Sequence, residues 1–311
     1  MAKDVATKTT GTLYAEVTDR IIAQLEAGRV PWVQPWDGSN LESGLPRNAG
    51  TGRRYSGINV LILWATVFER GFGTQGWLTY KQAQALGGNV RKGETGTTIC
   101  YADRFTPKDE RDKPITEVSD EHRRQVAFLK RFTVFNVDQC EGLPDVLSVG
   151  GGAFLGERET IACAESLITA TGAQIGIGGD KAFYMPTADR IQLPPQQTFH
   201  DQVNYYRTAL HELGHWTGHP SRLDRDQTGA LRRASYACEE LVAEMCSAFT
   251  CAELGIVPTV RHADYIGAWL EVLREDARAI FRAASQASKA ADYLLAFRAN
   301  GADDAGQEMA A

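Results

Sequence analysis

The chain has 311 residues, 43% of them hydrophobic and 23% charged, with a net charge of −6. These are ordinary values for a globular protein, at a length where two domains are expected. No apolar run approaches ~18 residues, so a transmembrane helix is not expected. The polar start Met1–Lys8 lacks the apolar stretch of a secretory leader. The six cysteines form no C-x-x-C pair, so reduced thiols in a cytosolic protein are the expectation. The charge is uneven. Residues 1–140 carry 19 Lys/Arg against 16 Asp/Glu, net +3, and the remainder 14 against 23, net −9. A mildly basic half joined to an acidic half suggests separate partners.

In chain order, Leu13, Val17, Ile21 and Leu25 recur every fourth residue, which predicts a helix over 11–28 stopped by Gly28. Pro31-Trp32 and Pro35-Trp36 follow in a loop. Further helices fit 59–70, ending at Gly71, and 79–86, with Thr79 as N-cap. Strand-like runs cover 97–101 and 128–137, separated by a charged segment at 106–125 that reads as an exposed loop or hairpin tip. Residues 143–152, with Pro144 and Gly150-Gly151-Gly152, read as an interdomain linker allowing limited motion. Beyond it the pattern predicts a helix over 157–172, a strand over 173–177, a strand–turn–strand over 182–193 and two or three helices over 235–297. Residues 299–311 read as a small, polar tail without fixed structure. The fold class is α+β throughout, with domains at 1–142 and 153–298.

His211-Glu212-Leu213-Gly214-His215 reads H-E-x-x-H. On a helix, residues four apart share a face, so His211 and His215 reach one metal ion together. Glu212 then projects beside them as the general base of a zinc hydrolase. A third ligand is needed. The longer H-E-x-x-H-x-x-G-x-x-H pattern fails because Ser221 occupies its last position. His219 is bracketed by Gly218 and Pro220, and His262 is isolated. The carboxylates Glu239, Glu240 and Glu244, on a helix carrying Leu241, Val242 and Met245, are the remaining candidates. Glu240 is the expected ligand and Glu244 an acceptor that holds an imidazole, although Glu239 and Glu244 remain alternatives as ligand. The hairpin at 182–193 suits either an ordinary core role or an edge that pairs with an extended peptide.

The stretch 182–225, with His211–His219 and Arg222-Leu223, and the run Glu239–Glu244 resemble the zincin-type metallopeptidase domain of the ArdC antirestriction family. Pro46-Arg47-Asn48, Gly52, Tyr55–Asn59, Trp77-Leu78-Thr79, Gly93-Glu94 and Phe135-Asn136 resemble that family's N-terminal domain. The resemblance covers about residues 11–290. It implies a plasmid- or phage-borne cytosolic protein whose N-terminal domain binds single-stranded DNA and which protects incoming DNA from host restriction. A related N-terminal domain is associated with plasmid primases. The resemblance also implies a gluzincin-like peptidase domain.

Single-strand binders combine cations for phosphates with aromatic faces for bases, and the first half has such material. Arg47, Arg53, Arg54 and Tyr55 lie on a glycine-rich loop before a helix, whose backbone amides suit a phosphate. Lys81, Arg91 and Lys92 form a second cationic group. Trp64 suits the core, whereas Trp32, Trp36 and Trp77 suit either the core or base stacking. The expected cofactor is one divalent ion, Zn2+, with Mn2+ as the alternative. The expected partners are single-stranded DNA and an unidentified protein substrate, with no membrane. The second reading is a DNA-binding shield whose metal site is structural or vestigial.

Overall fold

The computed structural model describes residues 12–32, 43–105, 126–144, 147, 157–227, 233–257 and 266–308. Trp36, the charged segment 106–125, most of the expected linker and His262 lie outside these residues.

Helix α1 (Leu13–Glu26) is capped by Thr12, whose hydroxyl accepts from the Ala15 amide at 3.3 Å. It buries Ile21 and Leu25. Helix α2 (Ile58–Arg70) is apolar on nearly every side, with Val60, Leu61, Leu63 and Trp64 fully buried. A helix of that composition belongs in the middle of a core. It stops at Gly71, which takes the left-handed conformation with φ +67°. Helix α3 (Tyr80–Ala85) begins with a reciprocal capping box between Thr79 and Gln82.

Strands β1 (Arg47–Asn48), β2 (Gly76–Leu78), β4 (Thr97–Phe105) and β5 (Val126–Asn136) form a sheet in the order β1-β2-β5-β4. The pair β1–β2 is parallel and the others are antiparallel. In the long β4–β5 ladder Ile99 faces Phe132, and Tyr101 faces Lys130. Ile99, Val134 and Trp77 pack on Leu63 and Val67 of α2. Short strands β3 (Asn89–Val90) and β6 (Cys140–Glu141) form a separate antiparallel pair.

The second half runs through α4 (Glu157–Ala170), β7 (Gln174–Ile177), β8 (Phe183–Met185), β9 (Arg190–Leu193), α5 (Gln202–Trp216), α6 (Arg233–Glu253), α7 (Ile266–Glu275) and α8 (Ala279–Glu308). Its sheet has the order β7-β9-β8, with β9 parallel to β7 and antiparallel to β8. Strand β8 is therefore an edge. Helix α8 takes in residues 299–308 of the stretch expected to lack fixed structure.

The two halves meet in one hydrophobic cluster. Ile21, Leu25, Trp32, Leu45, Leu61 and Trp64 belong to the same buried cluster as Phe249, Trp269, Ile280 and Ala284. Trp32 meets Trp269 at a ring distance of 5.5 Å, and Trp64 meets Phe249 at 5.6 Å. Polar ties accompany this packing. The Leu45 amide donates to Glu253 Oε1 at 3.0 Å, and the Gly57 amide to Ser288 Oγ at 2.8 Å. Trp32 and Trp77, both fully buried, are core residues and present no face to a base.

Candidate metal centre

Helix α5 carries the H-E-x-x-H run and is capped by Asp201, whose carboxylate accepts from the Val203 amide at 3.0 Å. Helix α6 carries the three carboxylates. The two helices approach very closely at Gly214, where an added Cβ would lie 3.2 Å from the Ala243 Cα and 3.3 Å from its carbonyl oxygen. Ala243 stands between Glu240 and Glu244 in sequence, so the missing side chain at Gly214 brings the carboxylates within reach of the imidazoles.

His211 Nε2 lies 3.5 Å from Glu240 Oε2, and His215 Nε2 lies 3.5 Å from Glu240 Oε1. The three residues offer ligand atoms all within 4.8 Å of one another. Ligands around a tetrahedral ion at about 2.0–2.1 Å stand roughly 3.3–3.5 Å apart, so the spacing suits one ion. His211, Glu212 and Glu240 are buried. Each imidazole also meets a carboxylate through its other nitrogen. Glu244 Oε1 is 3.6 Å from His211 Nδ1, and Glu239 Oε1 is 3.3 Å from His215 Nδ1. The His215–Glu239 contact is a hydrogen bond, of the kind that fixes a tautomer and aims the ring, whereas Glu244 stands at ion-pair distance from His211.

Glu239 is held in turn. Arg225, with a side chain 5% exposed, donates to it from Nη2 at 2.7 Å and from Nε at 3.1 Å. Arg225 also donates to the Gly214 carbonyl at 2.6 Å and to Thr217 Oγ1 at 2.8 Å. It thus places a cation at the carbonyl end of α5, where the helix dipole favours one. Gln227 Nε2 completes the group, donating to the His215 carbonyl and to Glu239 Oε1.

The electrostatics follow from so many buried carboxylates. Burial pushes the His215 imidazole down, but the Glu239 hydrogen bond and the charges of Glu240, Glu239 and Glu212 outweigh it and raise its pKa to about 9. Burial pushes Glu240 up, but the His211 hydrogen bond and the two imidazoles bring it down to about 2. For Glu239, burial is outweighed by His215 and Arg225, again giving about 2. The cluster thus draws in positive charge, which a proton or a divalent cation can supply. That donor set, buried and convergent, fits a metal.

Two residues that sequence reasoning left without roles emerge. Arg225 is one. Tyr236 is the other, one turn before Glu240 on α6, with its phenol hydrogen-bonded to the Glu240 carboxylate and 44% exposed. Its i, i+4 spacing from Glu240 was a legible signal, whereas Arg225 is brought in only by the loop after α5.

The β8–β9 turn is tied to the end of α5 through Arg222. Asp189, at φ +46°, pairs with Arg222 and accepts from the Tyr184 phenol at 2.8 Å. Arg222 lies over the Trp216 ring at 3.9 Å and donates from Nε to its carbonyl at 2.6 Å.

The residues expected to contact DNA are placed differently from one another. The amides of Gly50 and Thr51 donate to Asn48 Oδ1 at 3.1 and 3.0 Å, and that of Gly52 to the Asn48 carbonyl at 2.8 Å. The glycine-rich loop thus uses its own amides, and the Gly57 amide at the start of α2 goes to Ser288. These four amides are thus committed within the chain. Arg54 pairs with Glu253 at 3.0 Å. Arg91 pairs with Glu94 at 3.1 Å and donates to the Asp138 carbonyl at 2.5 Å. Arg47 and Tyr55 are half-buried, and burial raises the Tyr55 phenol. Arg53, Lys81 and Lys92 are exposed.

A His-Glu-x-x-His helix crossed by a carboxylate-bearing helix defines a zincin-like metallopeptidase domain, and the profile of a zincin-like metallopeptidase family matches residues 162–286. The profile of the N-terminal domain of anti-restriction factor ArdC matches residues 11–135. The crystal structure of the antirestriction protein ArdC from plasmid R388 superimposes with a TM-score of 0.76 at 41% identity, covering 93% of this chain and 98% of that one. Its Mn(II)-bound structure gives 0.75, also at 41% identity, over 93% and 99%. The chain belongs to the ArdC antirestriction family. Uncharacterized protein y4eC of Sinorhizobium fredii (strain NBRC 101917 / NGR234) is 40% identical over 95% of both chains. A DNA primase TraC of Escherichia coli is 43% identical over 91% of this chain but only 27% of its own length, and a second is 40% identical over 90% and 20%. The chain therefore spans about a quarter or less of those primases. Among the described residues, no helix is long and apolar enough to cross a membrane.

Proposed function

We propose that this protein binds single-stranded DNA, protects incoming plasmid DNA from host restriction, and carries a metal-dependent peptidase site. The ArdC relative of plasmid R388 binds Mn(II). By the same reading His211, His215 and Glu240 hold one divalent ion here, zinc or manganese. The bound ion would act as a Lewis acid on a scissile carbonyl and lower the pKa of a water toward ~7.

The chain's own residues would do the rest. Glu212 takes a proton from the attacking water and returns it to the leaving amine. Glu239 and Glu244 keep the two imidazoles aimed through their Nδ1 atoms. Tyr236, at the mouth of the site with its phenol on Glu240, is the donor suited to the developing oxyanion. Edge strand β8 offers main-chain groups to an extended substrate.

The observation that supports a peptidase over a purely structural site is Glu212. It is buried within the charge field of His215 and is not among the three convergent ligands. A structural site has no need of such a base. Glu212→Gln is the test, scored side by side for metal content, cleavage of unfolded casein and protection of transferred plasmid DNA. We expect full metal content with cleavage lost. Absence of cleavage by the metal-loaded wild type, with full protection by Glu212→Gln, would overturn the peptidase and leave a DNA-binding shield.

A further inference from the structure

With Trp32 and Trp77 in the core and the amides of Gly50, Thr51, Gly52 and Gly57 bonded within the chain, another surface is needed for a single strand. The β4–β5 ladder has one. Tyr101 is 56% exposed and Phe132 45% exposed. Their rings lie 6.0 Å apart on the same face of the sheet, and exposed Lys130 is directly opposite Tyr101. That face is covered by α2 at Ile99 and Val134, and α2 does not cover these two rings.

Tyr101 also lines a cleft of 740 Å3 between the two halves of the chain. The far wall is α8 and the residue before it. Arg282, Ser285, Lys289 and Asp292 recur at helical spacing and all line the cleft, as does Arg278. Arg278 lies over the Tyr14 ring at 5.0 Å, and Tyr14 meets Phe281 at 4.7 Å, so aromatic groups flank both walls. Asp292 and Asp276, the latter paired with Arg282 at 2.6 Å, oppose part of this charge. Among the described residues, Arg278, Arg282 and Lys289 thus stand against Asp292 and Asp276. The floor is stitched by the Gly57–Ser288 hydrogen bond, which joins the halves.

We propose that single-stranded DNA stacks its bases on Tyr101 and Phe132 and lays its phosphates in the adjoining cleft against Arg278, Arg282 and Lys289. This rests on the single-strand reading above and assigns the track to both halves together. Exposed rings beside cations suit a strand with unstacked bases, because every base has a π-face and phosphates follow the cations. A duplex keeps its base faces stacked and gains nothing from the rings.

The test is fluorescence anisotropy of full-chain protein with a labelled oligo(dT) of about twenty nucleotides, across a salt series. Tyr101→Ala with Phe132→Ala should weaken binding by about 10- to 100-fold with little change in salt dependence, since stacking carries no charge. Arg282→Glu with Lys289→Glu should lower the slope of log K against log salt by roughly 1.4 or more. Should the aromatic double variant lose its fold, photocrosslinking of iodouracil-substituted single strands to the wild-type chain serves instead, with adducts expected on Tyr101 or Phe132. Undiminished binding by both double variants, with loss in Arg53→Glu/Lys92→Glu, would overturn this track and keep the single-strand reading. Equal affinity for a blunt duplex would overturn the stacking role, and no binding by the wild type would overturn the single-strand reading itself.

Discussion

Glu239 Oε1 is shared between Arg225 Nη2 at 2.7 Å and His215 Nδ1 at 3.3 Å. A guanidinium outside the metal cluster therefore fixes the orientation of one imidazole inside it. Loss of such an outer contact typically weakens metal binding by about 10- to 100-fold. Glu239→Gln should therefore reduce affinity without abolishing it, and Arg225→Lys should act in the same direction because a lysine cannot reproduce the forked contact. Competition with a chelating dye measures both. Affinity unchanged in Glu239→Gln would remove this carboxylate from the account.

The ligand assignment makes a sharper prediction. His211→Ala, His215→Ala and Glu240→Ala should each lose most bound metal, counted by elemental analysis against about one ion per wild-type chain. Glu212→Ala should retain it. Glu244→Ala should fall between, because its oxygen meets His211 through Nδ1, away from the shared centre. Loss of metal in Glu244→Ala with full retention in Glu240→Ala would reverse the two roles.

Gly214→Ala tests the helix crossing. The added methyl meets the Ala243 backbone at 3.2–3.3 Å, and backbone can give way only if α6 moves. Overpacking of this kind costs about 1–3 kcal/mol, and the displacement separates Glu240 from the imidazoles. We expect a lowered unfolding midpoint together with weaker metal binding. A variant with wild-type stability and metal affinity would show that the crossing tolerates a side chain.

Asp189 gives a pH dependence remote from the metal. Its hydrogen bond with Arg222 holds the carboxyl below its ordinary range against a smaller opposing effect of burial. A depressed folded-state pKa gives stability that is present above the unfolded value of about 3.9 and lost as pH falls through the folded one. Asp189→Asn removes the charge, and asparagine tolerates the positive φ. The variant should unfold at a lower temperature than wild type near about pH 6, and the gap should narrow toward about pH 3. A gap independent of pH would assign the effect to shape and not charge.

Truncation tests the shared core. A chain ending near residue 145 would expose Trp32 and Trp64, whose partners Trp269 and Phe249 lie in the other half. We expect no cooperative thermal transition and aggregation in place of a folded domain. A sharp transition with retained strand binding would show that the first half stands alone.

Much of this protein is legible in the sequence, because the signals are local. The fourfold recurrence of Leu13, Val17, Ile21 and Leu25, the Thr79 N-cap and the H-E-x-x-H spacing each depend on neighbours within one or two turns of chain. Helix spacing alone put His211 and His215 on one face, and the apolar surroundings of Glu240 and Glu244 marked them as buried carboxylates in want of a cation. What tertiary structure decided was everything that depends on distant segments. Only the crossing at Gly214 places Glu240 against both Nε2 atoms and leaves Glu239 to His215 and Arg225. Only the packing of α6 and α7 against Trp64 and Trp32 shows that the halves share a core, since an indole's preference for core or ligand depends on what covers it. The glycine-rich loop looked like a phosphate cradle because glycines and cations are visible in sequence, whereas the turn that commits its amides to Asn48 is visible only in the fold.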